Sequence, residues 1–310
     1  MYRYVIKRIL QLIPVLLGVT FVVFFILELT PGDPAELVAG VDATPEQIEI
    51  VRERLQLNDP MLVRYARYIF NLFRGDLGTS YYSTDSVFYL FMKSFPATLA
   101  LSMAAMLFAT IIAIPVGILS AVKQNSLFDN IGMVMALIGV SMPSFWLGLL
   151  LILFFSLGLK WFPSGGFNGL RSLILPAITL GCAAPMAGLV RATRSAMLDA
   201  MAQDYMRTAR AEGFGEKVVI WRHALRNAML PILTSFSLQF SAVMSGAILT
   251  ETVFSWPGIG RLIVDSVNRR DTPMILGTIT LITMFISVVN LVIDIVYAYA
   301  DPRIKAQYTK

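Results

Sequence analysis

Six blocks of apolar residues dominate the chain, at 9–27, 94–122, 130–159, 172–190, 227–250 and 274–293. Each meets or approaches the roughly 20 mostly apolar residues that a helix needs to cross a bilayer. The third block is long enough to tilt or kink. Pro143, in GVSMPSFWLG, supplies the kink site, because proline removes an N–H from the helical ladder. The first block follows Lys7 and Arg8 but is too long for the apolar core of a secretory signal, and no small-x-small cleavage site follows it. It is expected to be an uncleaved first span. The pattern therefore predicts an all-α polytopic membrane protein with six transmembrane helices.

The polar insert between the first two blocks, 30–93, carries its own periodicity. TPGDP is a turn cluster. ATPEQIEIVRERLQL predicts a short helix, with Thr44 as cap, Pro45 at its first position, and Ile48, Val51 and Leu55 on one face. PMLVRYARYIFNLFRG predicts a second, amphipathic helix. The insert is expected to be a small helical extracytoplasmic segment. It reads either as a cap over the spans or as a docking surface for an external partner, since exposed segments often carry function.

Composition supports the membrane reading. Charged residues make up 15% of the 310, against about 25% in soluble domains. The net charge of +5 is not a nucleic-acid signal here, because membrane proteins gather Lys and Arg on cytoplasmic loops. Arg3, Lys7 and Arg8, Lys123, the seven basic residues Arg191, Arg194, Arg207, Arg210, Lys217, Arg222 and Arg226, and the tail's Arg303, Lys305 and Lys310 fall on one side of six spans. That side is expected to be cytoplasmic, with both termini inside. The 30–93 insert falls outside, where its nine acidic residues outnumber its six basic ones. The single cysteine, Cys182, allows no intrachain disulfide and no zinc cluster, and reads as a packing residue.

The most basic stretch is RTARAEGFGEKVVIWRHALRNAMLPI, 207–232. It predicts two short helices. One runs to about Glu212 and stops at Gly213; the other starts near Glu216, with Val218, Trp221 and Leu225 at helical spacing. Such a segment is either a basic helix lying on anionic lipid or a knob that docks into a soluble partner. The Gly break favours the knob, since a helix on lipid needs no interruption. His223, the only histidine, lies one turn from Asn227 and reads as a structural brace, because no carboxylate or nucleophile accompanies it at motif spacing.

The sequence contains no G-x-x-x-x-G-K-[ST], so ATP is not expected to bind this chain. It has no H-E-x-x-H and no G-x-S-x-G either, and so suggests neither a metal nor an enzyme. Asp294 stands out as a charge in the sixth span, just past its apolar block, with Asn290 at i−4 on the same face, and reads as a helix-end anchor. Gln239 and Ser241 in the fifth block either line a path or hydrogen-bond between helices. SWPGIGRL predicts a turn opening a short outer helix.

DYMRTARAEGF…RHALRNAMLPI resembles the coupling loop of bacterial ABC importer permeases of the dipeptide, oligopeptide and nickel family. Gly213 takes the place of the superfamily's signature glycine and Ala209 of one signature alanine, while Arg207 and Thr208 replace the Glu and the other alanine. VIKRILQLIPVLLGVTFVVF, LTPGDPAELVAG, RGDLGTSY, GVSMPSFWLGLLLILF, ILPAITLG, ETVFSWPGIGRLIVDSVNRRD and DPRI extend the resemblance over nearly the whole chain. It implies a first helix at 1–29, an outer segment at 30–93, and a permease core at 94–310 with a coupling loop at 191–229.

In that loop the resemblance implies ATPase docking through Arg207, Thr208, Ala209, Arg210, Gly213, Gly215, His223, Arg226, Asn227 and Pro231. Gly213 would permit a tight bend, and Pro231 would start the fifth span. The implied partners are a second related permease, two ATP-binding subunits that hold the ATP, and an extracytoplasmic binding protein that delivers di- or oligopeptides, glutathione or chelated nickel. The implied location is the bacterial cytoplasmic membrane. A gradient-driven secondary transporter is the rival; it calls for paired ionisable residues near the midplane, where Asp294 stands alone.

Overall fold

The computed structural model describes residues 2–40 and 42–300, with side chains described for 10–40 and 42–293. Among them all regular structure is helical, apart from one isolated bridge between Thr79 and Ser86. The first helix, α1, runs Tyr2–Leu29. Three short helices follow. The first, α2 (Pro34–Ala39), is capped by Asp33, whose carboxylate accepts from Ala35 N at 2.9 Å. The sequence reading saw only a turn there.

Helix α3 (Pro45–Arg54) opens on the expected cap, completed as a reciprocal box. Thr44 N donates to Gln47 Oε1 at 2.9 Å and Gln47 N to Thr44 Oγ1 at 3.4 Å. The amphipathic α4 is Met61–Phe73.

Helix α5, Val87–Val122, starts seven residues before the apolar block that predicted it. Its 36 residues give about 54 Å at 1.5 Å each, well beyond the ~30 Å of a bilayer core. The third block is broken. Helices α6 (Leu127–Ser141) and α7 (Ser144–Leu151, continued by a π-helical stretch Ile152–Gly158) meet at 97°. Met142 is extended there because the ring of Pro143 excludes it from helical geometry.

The fourth block is broken as well, by 52° at Ala183, between α8 (Leu170–Cys182) and α9 (Ala184–Met201). The segment between the fourth and fifth blocks holds α10 (Asp204–Ala211) and α11 (Glu216–Val218). A π-helical turn, Val219–Ala224, joins α11 to α12 (Leu225–Gly246). Two short helices, α13 (Ile248–Val253) and α14 (Ile259–Arg269), precede α15 (Thr272–Ala300). Four described helices are long and apolar enough to cross a membrane, or six if each bent pair is one span.

The chain divides into two compact units. One comprises Met1–Pro96 and Gly258–Leu291. In it α4 lies on α1 through Tyr65, whose hydroxyl donates to Leu17 O at 2.8 Å and whose ring meets Phe21 and Phe24 edge-on at 5.2 and 5.7 Å. Asp271 caps α15 by accepting from Met274 N, and the same carboxylate accepts from Ser80 Oγ and from Tyr81 N. A small core of Leu77, Val87 and Met274 closes this unit.

The other unit is built mainly from Ala97–Pro257. Its organising feature is a stripe of small residues every fourth position on α5: Ala105, Ala109, Ala113, Gly117 and Ala121, all buried. Small side chains let helices approach closely where lipid offers no hydrophobic driving force between them. A Cβ on Gly181 would stand 2.6 Å from Ala105 O, and one on Gly117 2.6 Å from the Thr193 side chain. Trp256, wholly buried, donates its indole N–H to Ala97 O at 2.9 Å.

Candidate functional site

The stretch expected to be a loop from 191 is helical for most of its length. Helix α9 runs on to Met201, so Arg191 and Arg194 stand on a helix. Helix α10 then buries Met206 and Ala209, one turn apart, in a cluster with Met197 of α9, Val219 of the π turn and Ile232 of α12. Ala209 therefore anchors the element, while Arg207, Thr208 and Arg210 remain exposed on its outer face.

The bend after α10 is a complete helix stop. Phe214 N donates to Ala209 O at 3.4 Å and Gly213 N to Arg210 O at 3.0 Å, the two bonds of a Schellman motif. Gly213 sits at φ +84 with nothing within 4 Å of where a Cβ would be. Its requirement is thus conformational and not one of space. Arg210 Nε donates to Glu216 Oε1 at 2.8 Å across the bend, so its partner lies within the segment. Gly215 is extended and opens α11.

The second helix starts at Glu216, as its pattern predicts, and continues without a break into the fifth span, 31 residues from Glu216 to Gly246. Pro231 is accordingly inside α12 and does not start the span. This corrects the sequence expectation. The π turn accommodates the passage, and proline's missing N–H falls about four turns into the continuous helix. His223 lies in the π turn with its ring 5.4 Å from that of Phe214. Asn227 Nδ2 donates to His223 O at 2.9 Å.

Sequence reasoning missed Tyr205 of α10, whose phenol burial pushes upward and the Asn227 side chain of α12 pulls partly back. The exposed surface presents Phe214, Val218 and Trp221 among Arg207, Lys217, Arg222 and Arg226. A basic surface carrying exposed apolar side chains can bind an acidic, apolar-centred groove on a protein.

Two ionic features inside this unit were also missed. Arg194 grips Asp129 at the start of α6. Ser126 caps α6 by accepting from Asp129 N at 3.3 Å, and the S-x-x-D spacing of SLFD is a legible capping signature. Glu251 is wholly buried and accepts from Thr98 Oγ1 at 2.6 Å. Of the intramembrane candidates, Gln239 is lodged against Gly188, where a Cβ would stand 2.1 Å from its Nε2, an arrangement of helix packing. Ser241 O accepts from Ser245 Oγ at 3.0 Å, and Asn290 is half-buried on α15. The side chain of Asp294, like Arg303, Lys305 and Lys310, lies outside the described residues.

The family described as "Binding-protein-dependent transport system inner membrane component" matches residues 113–306, and its N-terminal companion matches 1–102. The chain belongs to this family of ABC importer permeases. It is 43% identical to the dipeptide transport system permease protein DppB of Alkalihalophilus pseudofirmus, over 98% of this chain and 100% of that one. It is 44% identical to the glutathione transport system permease protein GsiC of Salmonella paratyphi A, over 98% and 99%. An inward-facing structure of the MetNI methionine ABC transporter aligns with a TM-score of 0.60 at 16% identity, covering 69% of this chain and 97% of that one, and shares the fold.

The permease is therefore a multi-pass protein of the inner membrane. Its family works in complexes with other ABC subunits and a substrate-binding protein. Membership displaces the secondary-transporter reading, and it makes the chain a pore subunit.

Proposed function

We propose that this permease forms half of the translocation pathway for di- and oligopeptides, with a second related permease forming the other half. Two ATP-binding subunits bind and hydrolyse the ATP, and an extracytoplasmic binding protein delivers the peptide. Both termini face the cytoplasm, and the 30–93 segment faces outward. The observation that carries the peptide reading is the end-to-end 43% identity to a dipeptide permease. The equally long 44% identity to glutathione permeases supports a second reading, a γ-linked tripeptide as cargo.

The element from Asp204 to Ala224 is the coupling device. Met206 and Ala209 lock it to the spans, and the Schellman stop and the Arg210–Glu216 pair fix its bend. A groove on an ATPase subunit that moves the exposed Arg207 face moves α12 with it, because the second helix and the fifth span are one continuous rod. The test is uptake by proteoliposomes holding the assembled importer and its binding protein. Labelled dipeptide should accumulate with ATP and be displaced by unlabelled oligopeptide. Uptake of glutathione with no dipeptide uptake selects the second reading, and uptake of neither refutes both.

A further inference from the structure

A cleft of about 560 Å³ within the first unit has two chemically different walls. One is apolar: Ile26 and Leu27 near the end of α1, Ile275 and Ile279 near the start of α15, and Val267 of α14. Ile26 and Val267 are 56% and 49% exposed. Since α1 and α15 cross the membrane, this wall stands where acyl chains give way to headgroups, on the side of the 30–93 segment.

The other wall is ionic. Arg52 is paired with Asp33, and Arg64 with Glu28 at 3.0 Å. That leaves Arg270 and Glu36. Both line the cleft, and neither side chain has an ion-pair or hydrogen-bond partner among the described residues. Arg270 is half-buried, packed so closely on Gly32 that a Cβ there would stand 2.4 Å from its guanidinium. The Nε of Arg52, also lining the cleft, is buried without a hydrogen bond.

We propose that this cleft binds one zwitterionic phospholipid bearing a primary ammonium, its phosphate on Arg270, its ammonium on Glu36 and its acyl chain along α1 and α15. A half-buried unpaired guanidinium is unfavourable until an anion reaches it, and phosphate matches its planar donors. A headgroup of phosphate alone would face the repulsion of Glu36, whereas an adjacent ammonium removes it. A soluble anion satisfies Arg270 but leaves the apolar wall uncovered. The volume lies within the roughly 300–1,000 Å³ of small-molecule sites.

The experiment uses the assembled importer purified from its own membrane, stripped of lipid and titrated with phosphatidylethanolamine, phosphatidylglycerol or inorganic phosphate under native mass spectrometry. Phosphatidylethanolamine should be retained on this subunit in preference to phosphatidylglycerol, and inorganic phosphate should not displace it. Arg270→Gln should weaken retention about fivefold, the ~1 kcal/mol of one basic residue at a membrane surface. Glu36→Gln should erase the preference over phosphatidylglycerol. Equal retention of the two lipids by the native protein, displacement by inorganic phosphate, or unchanged binding by Arg270→Gln each overturns the proposal. The native-protein arms decide it even if a variant does not assemble.

Discussion

Arg194 holds Asp129 through two parallel hydrogen bonds, Nε to Oδ1 and Nη2 to Oδ2, each 2.7 Å long. The pair ties the first turn of α6 to α9 across 65 residues of sequence, and Asp129 is only 3% exposed. The same carboxylate accepts from Asn125 N at 3.0 Å, so it also fixes the turn that leaves α5.

Removing one partner strands the other in a poorly solvated place. Arg194→Ala and Asp129→Ala should each lower the stability of the purified permease by about 3 kcal/mol, and the double variant by clearly less than the sum. Thermal melting in detergent gives the cycle. Strict additivity would show that the two side chains do not act as a pair.

The bend at Gly213 should accept Asn and reject Val. At φ +84 an ordinary side chain adds roughly 1–2 kcal/mol of backbone strain, more when branched at Cβ, while asparagine adopts left-handed geometry readily. Gly213→Val combined with Arg207→Glu should leave membrane insertion intact but reduce co-purification of the ATPase subunits and stop transport. Gly213→Asn should keep both. Full ATPase association and full uptake in the double variant would sink the coupling role.

Two tyrosines of the 30–93 segment report on alkaline stability. Burial pushes Tyr68 and Tyr81 from the usual 10.0 to about 12; for Tyr68 the hydrogen bond with Thr280 pulls the other way, and for Tyr81 the charge of Arg64 does. A phenol with a raised folded pKa contributes stability that is fully present below pH 10.0 and is lost as pH climbs toward about 12. Tyrosinate absorbance should show a late phase that shrinks in Tyr68→Phe and Tyr81→Phe. A single phase near the ordinary phenol value, unaffected by either change, is the contrary result.

Topology is open to direct labelling. On a Cys182→Ala background, a cysteine placed at Asp59 should react with an impermeant thiol reagent added outside intact cells, and one placed at Glu212 only after the membrane is opened. The reverse pattern overturns the orientation derived from loop charges. The exposure of both sites on the folded chain makes the comparison fair, since Asp59 takes part only in a half-exposed pair with Arg67.

The sequence by itself determined what depends on local chemistry and composition. Long apolar blocks have few ways to satisfy their backbone in lipid other than as helices, so the all-α architecture followed from them. The Thr44 cap, the amphipathic α4, the stop at Gly213 and the start at Glu216 were legible because caps and glycine conformations are set within a few residues. Even the break at Pro143 was marked, although its 97° was not.

Only the tertiary structure decided the rest. Pro231 lies within α12 because the preceding helix, packed through Val219, Ala224 and Ala228, carries straight into the span and overrides the local preference for a start at proline. Arg194 is a half-buried partner and not a loop charge because Asp129, 65 residues away, is brought against it. Met206 and Ala209 became anchors while Arg207 stayed outside because one side of α10 found a cluster assembled from four other elements. Such pairings join residues far apart in the chain, and no local pattern encodes them, since they exist only once the helices have packed.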